Sequence, residues 1–331
     1  MIPRRATATA VSCPNIALVK YWGSQDTELN IPANGSISIT MGGLETTTTV
    51  TFDPKLATDR FILNGAPRSD SSLTRVSGHL DRVRRLSGLT THAEVISGNN
   101  FPLGAGIASS ASAFASLTLA ATWAAGLELS PRDHSRMARL GSGSACRSVF
   151  GGYVEWFAGD SHETSFAETI LPPEHWPLVD VVVVVSREPK RVSSSAGHGL
   201  ARTSPIQASR VADAPRRLDG CRQALLERDF DRLAAIVELD SNLMHAVMLT
   251  SDPPLLYWSP ATIMLMQEVV AWRKAGLGVC YTVDAGPNVH CLCEGSNAPE
   301  IARRLRAMDG VLELYECRPG PPARLMETSA H

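Results

Sequence analysis

Hydrophobic and polar positions divide the chain before any chemistry is considered. In the first third, ATATAVSCPN, SISITMG and TTTTVTF alternate or run with β-branched residues. The turn pairs Asn34-Gly35, Gly42-Gly43 and Asn64-Gly65 interrupt them, so strands are expected. Leu73, Val76, Leu80, Val83 and Leu86 recur at helical spacing and predict a helix over 71–87. HAEVIS at 92–97 returns to strand. The Gly/Ser/Asn-dense segment 98–112 then runs into the apolar helix AFASLTLAATWAAGL. Ser130-Pro131 reads as a cap followed by a favoured first helical position. A second Gly/Ser-rich segment, 141–152, and a proline-rich join, LPPEHWP at 171–177, follow. VDVVVVVS predicts a buried strand and REPKRVSSSAGHG a polar loop. Long helical patterns occupy about 204–249 and 259–275. GVCYTVDAGPNVHCLCE predicts two strands joined by a turn at 284–288, and a helix near 298–308 and the strand VLELYEC close the pattern. Strands and helices that do not alternate strictly indicate an α+β protein. The proline-rich join places a domain boundary there, giving 1–172 and 173–331.

Composition narrows the class. A chain of 331 residues is long enough for two ordinary domains, and 44% hydrophobic with 19% charged residues is a globular balance. A net charge of -2 argues against bulk affinity for nucleic acid or membrane surfaces. No apolar run approaches the roughly 20 residues needed to cross a bilayer, and MIPRRATATAVSCPN does not read as a signal peptide. The expected location is the cytoplasm. Seven scattered cysteines, Cys291 and Cys293 the only close pair, read as core residues in a reducing compartment.

Four segments carry candidate chemistry. In 98–112, glycines allow backbone N–H groups to approach an anion, and the following helix presents its unpaired donors and positive end. Ser109, Ser110 and Ser112 add hydroxyls for phosphate oxygens or magnesium. The loop has neither a Walker motif nor a dinucleotide fingerprint, and taken alone it also fits a flexible loop with a helix cap. In 141–152, Arg147 beside Ser142, Ser144 and Ser148 suits a bidentate clamp on carboxylate or phosphate, although taken alone it fits a surface arginine in a turn better. Asp284 sits in a tight turn, where it either caps the turn or acts as a base at a strand end. Lys20, followed by two aromatics at a strand end, is either solvated or part of a site.

Taken in order, these segments resemble one family. Asn15-Ile-Ala-Leu-Val-Lys20-Tyr-Trp-Gly23, Asn99-Asn-Phe-Pro-Leu-Gly-Ala-Gly-Ile-Ala-Ser-Ser-Ala111, Gly141-Ser-Gly-Ser-Ala-Cys-Arg-Ser148, Asp240-Ser-Asn-Leu-Met-His-Ala246 and Asp284-Ala-Gly-Pro-Asn288 resemble motifs of the mevalonate diphosphate decarboxylases, within the galactokinase–homoserine kinase–mevalonate kinase superfamily. The resemblance runs from about residue 7 to residue 316. It implies an N-terminal ribosomal-protein-S5-like domain, a C-terminal ferredoxin-like α/β sandwich and an active site in the cleft between them. It also implies ATP and Mg2+ as cofactors, a homodimer, and phosphorylation of the substrate's tertiary 3-hydroxyl followed by loss of phosphate and carbon dioxide.

Roles follow by resemblance, residue by residue. Asp284, Lys20 and Arg147 are the expected catalytic set: Asp284 at the 3-hydroxyl, Lys20 at the reacting centre and Arg147 at the substrate carboxylate. Tyr21, Ser142 and Ser144 would line the substrate's phosphate end, with Asn15 as an orienting group and Lys190 a looser match. Gly104, Gly106, Ser109, Ser110 and Asn100 would bind ATP, Ser109 also through magnesium. His245 reads as structural.

One departure bears on the substrate. The family's first motif continues with two basic residues and then Asp, whereas this chain has Ser24-Gln25-Asp26. Each lost contact between a charged group and phosphate costs roughly 1.5–3 kcal/mol of binding. The expectation is therefore 5-phosphomevalonate as substrate, giving isopentenyl phosphate, with Lys190, Arg191 or Arg202 as compensating charges for the alternative, 5-diphosphomevalonate giving isopentenyl diphosphate. A mevalonate-type kinase without decarboxylation and a catalytically dead metabolite sensor are the remaining readings.

Overall fold

The computed structural model describes residues 6–102, 109–188 and 192–326. Strands β1 (Thr7–Ser12), β2 (Asn15–Val19), β3 (Ser24–Asp26), β4 (Ile31–Pro32), β5 (Ser36–Gly42), β6 (Thr46–Phe52), β7 (Arg60–Leu63) and β8 (Ala66–Arg68) precede helix α1 (Ser71–Ser87). Strand β9 (Ala93–Asn99) comes before helices α2 (Ser109–Ala124) and α3 (Pro131–Gly141), a 3-10 helix (Gly143–Val149), and strands β10 (Tyr153–Phe157) and β11 (Phe166–Leu171). Next come β12 (Leu178–Val184), α4 (Ser194–Leu200), α5 (Gln207–Ala212), α6 (Ala214–Glu227), α7 (Phe230–Leu249) and α8 (Pro260–Lys274). Strands β13 (Val279–Val283) and β14 (Val289–Glu294), helix α9 (Ala298–Arg306), and strands β15 (Glu313–Pro319) and β16 (Arg324–Leu325) complete the order.

Among the described residues, one sheet has the order β16-β1-β6-β9-β7-β8. Its β6 alternates buried and half-buried positions along TTTTVTF, as a period of two requires. The inward threonines are not left unpaired. Thr46 Oγ1 meets Ser112 Oγ at 2.7 Å, and Thr48 Oγ1 meets Ser116 Oγ at 2.8 Å and Ser97 Oγ at 2.9 Å. Satisfied hydroxyls of this kind stabilise a buried contact, whereas orphaned ones would cost free energy. They seat the small-residue face of α2 on the sheet, and this places Ser109 and Ser110 at the helix start. The α1 prediction holds to the residue, with Asp70 as N-cap and Gly88 in the left-handed conformation after the last turn.

A larger sheet runs β11-β10-β5-β15-β12-β14-β13, with β2 also on β5. It joins the two halves of the chain, because β15 pairs with β12 and, through Arg318↔Gly42 and Pro319↔Met41, with β5. β12 is buried at every position and lies between β14 and β15. One face packs Val182, Val184, Cys280 and Leu292 under α6 and α7, and the other packs Val181, Val183, Cys291 and Cys293 under α8 and α9. All seven cysteines are buried and free, as expected of core residues.

Three local expectations change. The polar loop after β12 contains the helix α4, capped by the Ser193 side chain accepting from the Ala196 N–H. The long helical pattern at 204–249 divides into α5, α6 and α7, with Pro215 at the start of α6 and Arg228 in the left-handed conformation at its end. The Gly/Ser-rich segment 141–152 is largely a 3-10 helix rather than a plain turn.

Candidate active site

The end of β2 and the end of β13 bring together residues 264 positions apart. Lys20 Nζ donates to Asp284 Oδ1 at 2.6 Å and to the Ala17 carbonyl at 3.0 Å. The lysine is 1% exposed, while the Asp284 side chain keeps 30% of its surface. A buried ammonium needs a partner to stay charged, and this one faces a cavity of about 390 Å³ that Asp284 and Arg147 also line.

The Lys20 backbone is held as firmly as its side chain. Asp240, wholly buried on α7, accepts from the Lys20 N–H at 2.6 Å and from Arg217 Nε at 2.8 Å. Arg210 donates to the Lys20 carbonyl at 2.8 Å, joined there by Asn34 Nδ2 at 3.0 Å. Arg217 also reaches Asp213 at 2.6 Å and the Arg210 carbonyl at 2.9 Å. Two buried guanidinium groups therefore share one buried carboxylate, with the half-buried Asp213 as the outer anion.

Arg147 comes from the 3-10 helix. Its Nε and one terminal nitrogen donate to Asn15 Oδ1 at 3.1 and 2.9 Å, and the other donates to Ser36 Oγ at 2.5 Å. Burial pushes its guanidinium below the usual value. Asn15 in turn donates to the Ser144 carbonyl at 3.2 Å and to Ser148 Oγ at 2.8 Å. Asn15 is thus a buried strut behind Arg147 rather than a wall of the cavity. Tyr21, Ser142 and Ser144 do line the cavity. The Tyr21 hydroxyl meets Ser24 Oγ at 3.1 Å, its ring stands edge-on to Trp156, and burial raises its phenol.

Ser109 and Ser110 open α2 at the same cavity, with Ser110 Oγ 3.3 Å from Ser142 Oγ. They also line a second cavity of about 150 Å³, walled by Phe61, Leu63, Val95 and Leu117 with Asn99 among its polar groups. Asn99 Oδ1 is buried there without a hydrogen-bond partner among the described residues. Asn100, the expected ligand, instead bridges the 43–45 turn, donating to the Gly43 carbonyl at 3.0 Å and accepting from the Glu45 N–H at 2.8 Å. Gly104, Gly106, Lys190 and Arg191 lie outside the described residues. Arg75 and His198, both cavity-lining, were missed by sequence reasoning, since neither spacing nor motif marks them, and Asn99, though it opens the phosphate-loop motif, was not singled out.

His245 stays clear of solvent against Trp258, with Nε2 at 3.2 Å from the Val283 carbonyl, and burial pushes its imidazole down to about 4. That fits a structural neutral ring. Among the described residues there is no cluster of His, Cys, Asp and Glu able to hold a metal, and no helix long and apolar enough to cross a membrane.

A family model described as the diphosphomevalonate decarboxylase-like N-terminal domain matches residues 12–167, and one described as the mevalonate 5-diphosphate decarboxylase C-terminal domain matches residues 180–315. The diphosphomevalonate decarboxylase of Aspergillus fumigatus is 38% identical over 92% of this chain and 81% of its own length. The human one is 36% identical over 86% of this chain and 76% of its own. The Staphylococcus aureus mevalonate diphosphate decarboxylase structure superposes with a TM-score of 0.92 at 38% identity, over 97% of this chain and 98% of that one. A structure of MDDEF in complex with MVAPP, AMPPCP and magnesium also superposes with a TM-score of 0.92 at 38% identity, over 98% and 99% of the two chains. The two-domain α+β fold expected from the resemblance is therefore the one observed, and the chain belongs to the diphosphomevalonate decarboxylase family.

Proposed function

We propose that the protein uses Mg-ATP to phosphorylate the 3-hydroxyl of a 5-phosphorylated mevalonate, and that loss of the new phosphate and of carbon dioxide yields an isopentenyl product. The observation that carries this is the buried Lys20–Asp284 pair at 2.6 Å, facing one cavity with Arg147 and the α2 serines. The apolar slot beside the α2 serines suits an adenine. Ser109 and Ser110 would then meet the phosphates, Ser109 also magnesium, and bound ATP supplies the phosphoryl group. Asp284 orients the 3-hydroxyl and accepts its proton. Lys20 places a positive charge beside the transferring group. Arg147, held by Asn15 and Ser36, binds the substrate carboxylate until it leaves. Residues 1–172 thereby form the ATP- and phosphate-binding part, and 173–331 the part that carries Asp284.

The relatives are diphosphomevalonate decarboxylases by name, so the monophosphate preference expected from Ser24-Gln25 finds no support among them, and 5-diphosphomevalonate is the better-backed substrate. One observation still favours the monophosphate. Ser24 offers a hydroxyl where a cation is expected, and the Gln25 side chain turns to the Pro32 carbonyl at 2.8 Å. Incubation with ATP and mevalonate, 5-phosphomevalonate or 5-diphosphomevalonate, following carbon dioxide and ADP, separates these readings. We expect release with the diphosphate, preference for the monophosphate would reverse the substrate assignment, and ADP without carbon dioxide would leave only a kinase.

Gly143 supplies a further check. A Cβ there would lie 2.8 Å from the Tyr21 ring, which is already wedged between Trp156 and His198. Gly143→Ala is expected to displace the phenol and raise the substrate KM by about tenfold, the loss of roughly one hydrogen bond to a charged group, with the KM for ATP unchanged. Steady-state kinetics in each substrate would show it.

A further inference from the structure

Among the described residues, the cavity wall around Tyr21 is short of fixed positive charge. Among the described residues, the lysine and arginine side chains lining the cavity are Lys20, Arg75 and Arg147. Lys20 is paired with Asp284, and Arg147 directs its nitrogens to Asn15 and Ser36. Arg75 donates to the Gly141 carbonyl at 3.1 Å and lies over the Phe114 ring. The wall formed by Tyr21 and Ser24 offers hydroxyls and one imidazole, that of His198.

The His198 ring is fixed in place. It stacks on Tyr21 with centroids 4.0 Å apart and planes 20° apart, and lies 4.4 Å from Trp22. Its Nδ1 accepts from the Gly23 N–H at 3.1 Å, so the neutral ring carries its proton on Nε2. The helix bearing it is pressed onto Trp22, since a Cβ on Gly197 would lie 2.7 Å from the indole. Plane, tautomer and position are thus set before any ligand arrives, which lowers the entropic cost of using the ring as a donor.

We propose that His198 is a substrate-binding residue that recognises the 5-phosphate end through its imidazole Nε2–H, a role resting on the phosphorylated-mevalonate reading above. A phosphate oxygen accepting from this ring makes a charge-assisted hydrogen bond. It takes up part of the recognition that Ser24 and Gln25 do not provide.

Two variants and two measurements test it. His198→Met keeps side-chain bulk without a donor, and His198→Gln returns an amide N–H at similar reach. Calorimetric titration with mevalonate, 5-phosphomevalonate and 5-diphosphomevalonate is run beside turnover. His198→Met is expected to weaken the phosphorylated ligands by about tenfold or more, the loss of one hydrogen bond to a charged group. Mevalonate binding and the KM for ATP stay unchanged, and His198→Gln recovers most of the loss. Equal weakening of mevalonate, or identical behaviour of the two variants, assigns His198 to packing and overturns the proposal. Wild-type protein that binds the phosphorylated ligands without releasing carbon dioxide would overturn the decarboxylase reading and leave the His198 result to stand on the titrations.

Discussion

Asp284→Asn is expected to lower kcat by about a thousandfold, within the range of 10²–10⁴ typical for a positioned acid or base. The amide is nearly isosteric, so the turn at 284–288 should persist. That turn is held by its own contacts: Asn288 Oδ1 accepts from the Val185 and Ser186 N–H groups, and Thr262 donates to the Pro287 carbonyl. What changes is chemistry. The carboxylate paired with Lys20 at 2.6 Å becomes a neutral amide that neither accepts a hydroxyl proton nor balances the ammonium. ATP affinity should be unaffected, because the serines and the apolar slot that would hold the nucleotide lie on α2 and the first sheet. Single-turnover kinetics with a separate nucleotide titration checks both halves. Near-normal turnover would remove Asp284 from the mechanism.

The second large effect lies behind the site. Asp240→Leu should destabilise the fold by about 3–5 kcal/mol, the cost of leaving a buried charge uncompensated. At roughly 2–4 °C per kcal/mol, the melting temperature falls by about 10 °C. The reason is the count of charges: Arg210 and Arg217 are both buried, and Asp240 is their shared buried anion. Pairing the change with Arg217→Met removes one stranded charge and should restore part of the stability, as replacing a whole buried ion pair often does. Turnover should not return with it. The Lys20 N–H would still lack the Asp240 carboxylate that fixes it at 2.6 Å. Thermal melts and kcat on both variants separate the two roles, and full recovery of kcat in the double variant would confine Asp240 to stability.

The parts of the fold legible in the sequence are those with a strong local signal. Helix α1 has a clean 3.6-residue stripe, a capping Asp70 and a terminal Gly88, and its ends were placed without help from the rest of the molecule. The continuous apolar run of β12 betrayed burial on both faces. Helix α4 was hidden because SSAGHGL has poor helical propensity, and it exists through the Ser193 cap and the contact of Gly197 with Trp22, both tertiary in effect. Strands β10 and β11 were also unseen, since short strands draw their stability from neighbours, here β5 and each other.

The site shows the same division. Lys20 and Asp284 were singled out by type and motif, but their contact depends on topology that no local pattern encodes. Asn100 and Asn99 are adjacent, and at the end of a strand adjacent side chains take opposite faces. A motif that contains both cannot say which turns toward the slot, and the structure turns Asn99 there while Asn100 ties down the 43–45 turn.

The return of the last strands to the first ones sets an order of events during synthesis. β15 seats on β12 and touches β5, and β16 pairs with β1 through Ala10↔Leu325 and Val11↔Arg324. An emerging chain therefore carries this edge of β1 unpaired until β16 has left the ribosome. Unpaired edges invite association with other chains. The alternation of polar threonines with small alanines along β1, TATAVS, makes that waiting edge a poor partner for a stranger.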